Sequence, residues 1–230
     1  MIGIIGAMAS EVDGLKEIME DVKIANISSV DFYLGRINNV YVVVAKAGVG
    51  KVNAALTTEI MILKYNVSKI INVGVAGGLE PTLKIGDVVI GDSVVEHDMD
   101  TTPLGDEPGF ITGLDCVYMD CDKELSDLLY QCTQTMGFHT LRGVIASGDV
   151  FVASDDIRNR IIKQFNGVAA EMEGAAIGHA CVMNNVPFTV LRTISDCAND
   201  DSKVDFGEFV TESSKNAIEI IKLLLKKMGE

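Results

Sequence analysis

The chain has no tryptophan, four prolines and three histidines in 230 residues. So few histidines leave little material for a His-built metal centre. No apolar run approaches the ~20 residues that cross a bilayer. The most apolar late stretch, Ile218 to Leu225, is broken by Glu219 and Lys222. Cations are also scarce: 19 Lys and Arg stand against 33 Asp and Glu, a net charge of -14. Gripping a phosphate backbone takes clustered Lys and Arg, so nucleic acid is excluded as a partner. A neutral or cationic small ligand fits the charge better. The five cysteines, at 116, 121, 132, 181 and 197, are odd in number and form no CxxC pair. They read as reduced thiols in a cytoplasmic protein. Met1 to Gly6 has no basic residue ahead of its short apolar run, so it does not read as a secretory leader. No linker composition divides the chain, and one domain over residues 1–230 is expected.

What is present is an alternation of strand-like and helix-like segments, with 48% hydrophobic residues to fill a core. Ile2 to Ile5 reads as a buried strand, and Ser10-Glu11 opens a helix whose apolar positions Val12, Leu15, Ile18 and Met19 follow helical spacing. Asp31–Ile37 and Val40–Ala47 flank Asn38-Asn39, a hairpin turn signal. Helices are expected over Val52–Lys64, where Ala55, Ile60 and Leu63 follow helical spacing, and over Lys123–Met136, Ser154–Phe165 and Glu173–Asn184. Strands are expected over Lys69–Val75, Asp87–Val95, Thr140–Ala146, Val168–Ala170 and Phe188–Ile194. Residues 99 to 121 show no periodicity and read as a long loop. Phe206, Phe209, Ser213, Ala217, Ile221, Leu224 and Met228 mark one face of a terminal helix. The alternation predicts an α/β fold, a three-layer α/β/α sandwich around a mixed, mainly parallel twisted sheet.

Glycine-rich segments follow several strands, and each has a plain reading. Gly3 to Gly6 lacks the spacing of a dinucleotide loop, and Gly48-Val49-Gly50-Lys51 lacks the upstream Gly and following Ser/Thr of a phosphate loop. Gly74 to Gly78 is either a tight turn or a place where a ligand approaches the backbone. His97-Asp98-Met99-Asp100 has no second ligand pair and reads as a loop rather than a metal site. Two apolar strands are harder to explain as scaffold alone, because they stop at carboxylates: Glu171 and Glu173 after Val168–Ala170, and Asp196 after Thr189–Ser195. Buried carboxylates are costly unless paired, and ligands of parallel α/β sheets collect at the carboxyl ends of strands. Arg192 lies close enough in sequence to compensate charge.

Taken in order, Gly3-Ile4-Ile5-Gly6-Ala7-Met8, Gly48-Val49-Gly50-Lys51-Val52, Asn72-Val73-Gly74-Val75-Ala76-Gly77-Gly78, Ser147-Gly148-Asp149, Glu171-Met172-Glu173 and Ile194-Ser195-Asp196 resemble the bacterial 5'-methylthioadenosine/S-adenosylhomocysteine nucleosidases of the nucleoside phosphorylase superfamily. The resemblance runs from residue 1 to the terminal helix. It implies a cofactor-free, metal-free, homodimeric enzyme of methionine salvage that cleaves the adenine–ribose bond with water. By resemblance, Glu11 is the general base for water and Asp196 the acid that protonates adenine N7. Glu173 grips the ribose hydroxyls, with Met172 packed on the sugar. Phe151 and Val152 form the purine segment, Arg192 lies near water and base, and Phe206 covers the substrate. Met8, Val49, Val75, Ala76, Gly77, Glu171 and Ser195 complete the implied binding set. Thr101 and Leu104 are implied to reach across a dimer to the substrate's 5' group.

The assignment agrees with the chemistry. Adenine leaves poorly as an anion, so it needs an acid of raised pKa, and the ribose needs nearby negative charge as it becomes an oxocarbenium ion. Two departures stand out: Val75 replaces a hydroxyl residue common in the family, and Thr101-Thr102-Pro103-Leu104 replaces a more apolar stretch. The nearest rivals are a phosphate-dependent nucleoside phosphorylase and a futalosine or aminofutalosine hydrolase. A phosphorylase tends to carry an arginine where Asn72 stands, and Glu11 would repel phosphate. A binding protein without catalysis would not need Glu11, Glu173 and Asp196 together.

Overall fold

In a computed structural model, residues 1–199 and 202–230 are described, and all structural statements refer to these residues. The chain opens with β1 (Ile2–Gly6), α1 (Ala9–Lys16), β2 (Glu20–Ile27), β3 (Val30–Ile37), β4 (Val40–Lys46) and α2 (Lys51–Tyr65). It continues through β5 (Lys69–Gly78), β6 (Val88–Glu96), β7 (Tyr118–Asp120), α3 (Lys123–Thr135) and β8 (Thr140–Ser147). The last third holds α4 (Asp155–Phe165), β9 (Gly167–Glu171), α5 (Gly174–Met183), β10 (Phe188–Asp196) and α6 (Ser202–Gly229).

Local chemistry explains several boundaries. Asn38 and Asn39 both take positive φ, 48° and 65°, as the tight turn between β3 and β4 requires. Ser154 caps α4 by accepting the Ile157 N–H, and Asp155 and Asp156 face the positive end of that helix. Asp122 caps α3 in the same way through Leu125.

The sheet is what places the site. Its order is β10-β6-β8-β9-β5-β1-β4-β3-β2, and β10 also pairs with β5, so five strands close on one another. Helices cover both sides. Ile4, Val42 and Val44 pack with Val12, Leu15, Ala217 and Leu224 of α1 and α6. Their sequence neighbours Ile5, Val43 and Ala45 pack with Ala54, Met61, Ala175 and Ile177 of α2 and α5. Alternate residues of one strand thus feed two cores. Ile4, Ile5, Phe32 and Leu15 are wholly buried, each contributing about 1.5–3 kcal/mol of transfer free energy. β5 is the hub. Along one edge it pairs with β1 through Lys69–Asn72 and then with β9 through Gly77 and Gly78, while β10 occupies its other edge. Between Asn72 and Gly77 neither β1 nor β9 covers that edge.

Four expectations are corrected. α1 stops at Lys16, so the apolar spacing of Ile18 and Met19 was coincidental, and an unforeseen edge strand, β2, follows. Its residues are mostly exposed and half of them are polar, which hid it. The core-facing stripe of α2 is Ala54, Thr58, Met61 and Ile62, whereas Leu63 is 67% exposed. Within the long loop 99–121, Thr102–Leu104 form a single helical turn and Tyr118–Asp120 pair with β6. Gly74 to Gly78 are strand, not a turn.

Candidate active site

The carboxyl ends of β1, β5, β9 and β10 surround a cavity at the uncovered stretch of β5. Such a topological switch is where open α/β sheets bind ligands. Glu11, in the first turn of α1, reaches back into this gap. Its Oε2 accepts the backbone N–H groups of Ala7 (2.7 Å) and Met8 (2.8 Å), and its Oε1 accepts that of Val75 (3.1 Å). One carboxylate therefore caps a helix and replaces a missing strand partner. Burial pushes the Glu11 pKa up, opposed by Arg192 and the three N–H donors.

Asp196 ends β10 on the opposite side of β5. Its Oδ1 accepts the Ala198 N–H (2.9 Å), and its Oδ2 accepts the Ser195 hydroxyl (3.0 Å). Ala198 adopts a left-handed φ of 51°, a conformation that costs an L-residue about 1 kcal/mol. Burial raises the Asp196 pKa as well. Two glycines make room for these acids. A Cβ on Gly74 would lie 2.5 Å from Glu11 Oε1, and one on Gly77 would lie 2.8 Å from Asp196 Oδ1. The backbone is indeed approached closely here, by protein carboxylates.

The floor is a buried ionic group. Arg192 pairs with Glu171 and with the Asn72 carbonyl oxygen, and the Ser147 hydroxyl also donates to Glu171. Glu171 further accepts the N–H groups of Glu173 (3.0 Å) and Gly174 (2.8 Å) at the start of α5. Burial alone would raise its pKa, but Arg192 and these donors hold it below the usual range. Glu173 behaves oppositely. Burial and the adjacent Glu171 charge push it up to about 8, and the Gly50 N–H (2.8 Å) is its hydrogen-bond partner.

The expected residues Met8, Glu11, Val49, Val75, Ala76, Gly77, Phe151, Val152, Glu171, Met172, Glu173, Ser195, Asp196 and Phe206 all line this one cavity. Val75 contributes its backbone N–H to Glu11. Phe151 and Phe206 meet edge to face, 5.5 Å between centroids, and form an apolar mouth with Val49. Arg192 does not line the cavity: it stands behind the wall, 1% exposed. Asn72 also stands there, donating to the Ile5 carbonyl (2.9 Å) and bracing Arg192, so it does not face a ligand. Thr101 and Leu104 lie elsewhere, Leu104 being 83% exposed. Ala7, Val150 and Ala170 join the lining unforeseen; each adjoins a residue that the sequence did single out. No group of three His, Cys, Asp or Glu among the described residues has the arrangement of a metal site.

Comparison with known proteins identifies the class first. A family model described as the phosphorylase superfamily matches residues 1–226, and the chain belongs to that superfamily. A nucleosidase of Staphylococcus haemolyticus, named 5'-methylthioadenosine/S-adenosylhomocysteine nucleosidase, is 40% identical over 98% of this chain and 99% of its own. The Neisseria meningitidis nucleosidase of that name, solved with methylthio-immucillin-A, superposes with a TM-score of 0.95 at 35% identity over 98% of both chains. A Helicobacter pylori structure described as futalosine hydrolase matches at a TM-score of 0.94 and 32% identity, covering 98% of this chain and 97% of that one. Within the superfamily, the chain is a member of the 5'-methylthioadenosine/S-adenosylhomocysteine nucleosidase family.

Proposed function

We propose that this protein, folded as one domain, hydrolyses the N-glycosidic bond of 5'-methylthioadenosine and S-adenosylhomocysteine, and also of 5'-deoxyadenosine. Adenine and the 5-thioribose product are released, a reaction of methionine salvage in the cytoplasm. The observation that carries the reading is Glu11. The N–H groups of Ala7, Met8 and Val75 are turned toward the cavity, where they would suit an anion, yet a carboxylate already occupies them. A phosphate nucleophile would meet negative charge there, whereas water meets a base.

The mechanism follows from the two ends of the cavity. Phe151 and Val152 hold the purine edge, and Asp196, whose burial favours its protonated form, donates a proton to N7 as the C–N bond breaks. Glu171, held ionised by Arg192, places negative charge by the sugar as it gains oxocarbenium character. Glu173 accepts the ribose hydroxyls and Met172 packs on the ring. Glu11 takes the proton from the attacking water, and its burial makes it the stronger base for that step. Water and leaving group on opposite faces, with one acid and one base, resemble the logic of inverting glycosidases. Arg192 holds Glu171 ionised from behind the wall.

We also propose a homodimer. α2 carries an outward apolar stripe, Val52, Leu56 and Leu63 at 56–69% exposure, beginning three residues after Val49 at the mouth. Leu104 and Met183 add further exposed apolar side chains. Contiguous apolar surface of this kind marks protein interfaces, and Thr101 and Leu104 would then meet a partner's substrate. The futalosine-hydrolase likeness shares the fold and the family's site, so only the 5' pocket separates that reading.

The test is to follow free adenine from methylthioadenosine in phosphate-free buffer, with S-adenosylhomocysteine and aminofutalosine in parallel. Adenine should appear without phosphate. A strict phosphate requirement overturns the hydrolase reading, and turnover confined to aminofutalosine overturns the substrate.

A further inference from the structure

The Gly48–Lys51 loop presents Val49 to the cavity and the Gly50 N–H to Glu173, but nothing inside the loop fixes its shape. Gly48 and Gly50 both take left-handed φ, 91° and 99°, and glycine is the residue that loses most freedom on being held. The restraint comes from outside: the Gly48 N–H donates to the Ala7 carbonyl (3.1 Å) and the Asn53 side-chain amide donates to the Val49 carbonyl (2.7 Å), which leaves the Gly50–Lys51 end to the partners of Lys51. The Lys51 N–H donates to Asp149 Oδ1 (2.8 Å), and the Asp149 N–H donates to Asp98 Oδ2 (2.8 Å). The Lys51 ammonium donates to Asp98 (2.7 Å) and Glu96 (2.9 Å). Glu96, at the end of β6, also contacts His179 Nδ1 on α5 at 3.0 Å. α5 begins directly after Glu173. One carboxylate thus ties the helix that follows Glu173 to the helix that follows Gly50.

These charges are not a surface network: the Lys51 and Glu96 side chains are 19% and 11% exposed. Lys51, Glu96, Asp98, Asp149 and His179 do not line the nucleoside cavity. On the nucleosidase reading above, we infer that Lys51 is a positioning residue for ribose recognition, held by Glu96, Asp98 and Asp149 so that the Gly50 N–H stays on Glu173. Without that anchor the glycine loop samples other conformations, and Glu173 loses the donor that orients its carboxylate toward the sugar. Loss of one such hydrogen bond puts about tenfold in affinity for the ribose hydroxyls at stake.

The experiment crosses enzyme and substrate. Wild type, Lys51→Met and Lys51→Arg are each assayed with methylthioadenosine and with its 2',3'-dideoxy analogue, which lacks both hydroxyls that Glu173 accepts. Lys51→Met should raise KM for methylthioadenosine about tenfold with kcat changed less, the mark of lost ground-state binding. KM for the analogue should move little, so discrimination between the two substrates collapses, and Lys51→Arg should restore it. Equal losses on both substrates, or no loss, overturn the inference. If Lys51→Met gives no cooperative melting transition, Asp149→Ala decides instead. It removes one acceptor from an exposed side chain and should reduce the same discrimination, and an unchanged ratio overturns the proposal. Wild type that releases no adenine from methylthioadenosine sinks the nucleosidase reading rather than this one.

Discussion

The floor and the mouth of the cavity are built on opposite plans. At the floor, polar groups are buried and held by named partners: Glu11 accepts three backbone N–H groups, and Glu171 is fixed by Arg192, Ser147 and the start of α5. At the mouth, Val49 and Phe151 are 49% and 43% exposed, and α2 extends the apolar surface outward. Charge at a fixed place serves bond breaking, because preorganised groups need no rearrangement as charge develops. On the proposed homodimer, apolar surface left uncovered would serve a ligand tail and a second protomer. On that proposal the difference teaches that the chemistry is complete within one chain while substrate capture is not.

The largest test of that division is at the floor. Asp196→Asn keeps side-chain size and should melt close to wild type, while Glu11→Gln turns an amide NH2 toward a backbone N–H that the carboxylate now satisfies and should fold with a modestly lower melting temperature. Each should lose about 10³-fold in kcat for adenine release, the range for removing a general acid or base. Comparable losses from a substitution at the mouth would erase the distinction. The pH profile of kcat/KM sharpens it further. Activity should need Glu11 ionised and Asp196 protonated, giving a bell, and Asp196→Asn should abolish the alkaline limb of whatever rate survives.

The mouth is expected to answer differently. Leu56→Asp places a charge on the exposed stripe of α2, where Leu56 is 56% exposed and supports no core of its own chain. It should convert a dimer to a monomer in sedimentation velocity, and the melting temperature of the protomer should track that dissociation. KM for methylthioadenosine should rise about tenfold while kcat falls much less, because lost binding contacts that are equal in ground and transition states act on KM. A monomer with unchanged KM would show that the mouth needs no partner.

The two plans also differed in how far the sequence revealed them. Glu171, Glu173 and Asp196 were legible because buried carboxylates at strand ends have few scaffold explanations, whereas Glu11, in a first helical turn where it could simply face the helix dipole, was singled out only by the family resemblance. Gly74 and Gly77 were legible only as either a tight turn or a close approach to the backbone, and the fold alone shows that both make room for side-chain carboxylates. Arg192 could be named and not placed, since a strand residue faces the cavity or the core according to pairing register, and here it points behind the wall. The same limit hid the true inner stripe of α2. Its two faces are both apolar, and no periodicity in one chain says which face meets its own core and which is left outside. β2 was hidden for the converse reason, an edge strand with too little buried surface to leave an alternating pattern.

The smallest expected effect lies within the floor and concerns two carboxylates that are neighbours but one in sequence. Glu171 and Glu173 are each 7% exposed, yet Arg192 holds the first ionised and the second is raised to about 8. For Glu173 the folded-state pKa exceeds the ordinary value of 4.5. Its stabilising contribution is therefore full below that ordinary value and is lost as pH rises through about 8. Glu173→Gln mimics the protonated carboxyl at every pH and removes this term. Ligand-free wild type and variant should melt together near pH 5, and by pH 9 wild type should fall below the variant by about 5 °C. Parallel melting curves across that range would mean that Glu173 is ionised in the empty site like Glu171. The floor would then hold two carboxylates of one kind, and the ribose would meet full charge before it binds.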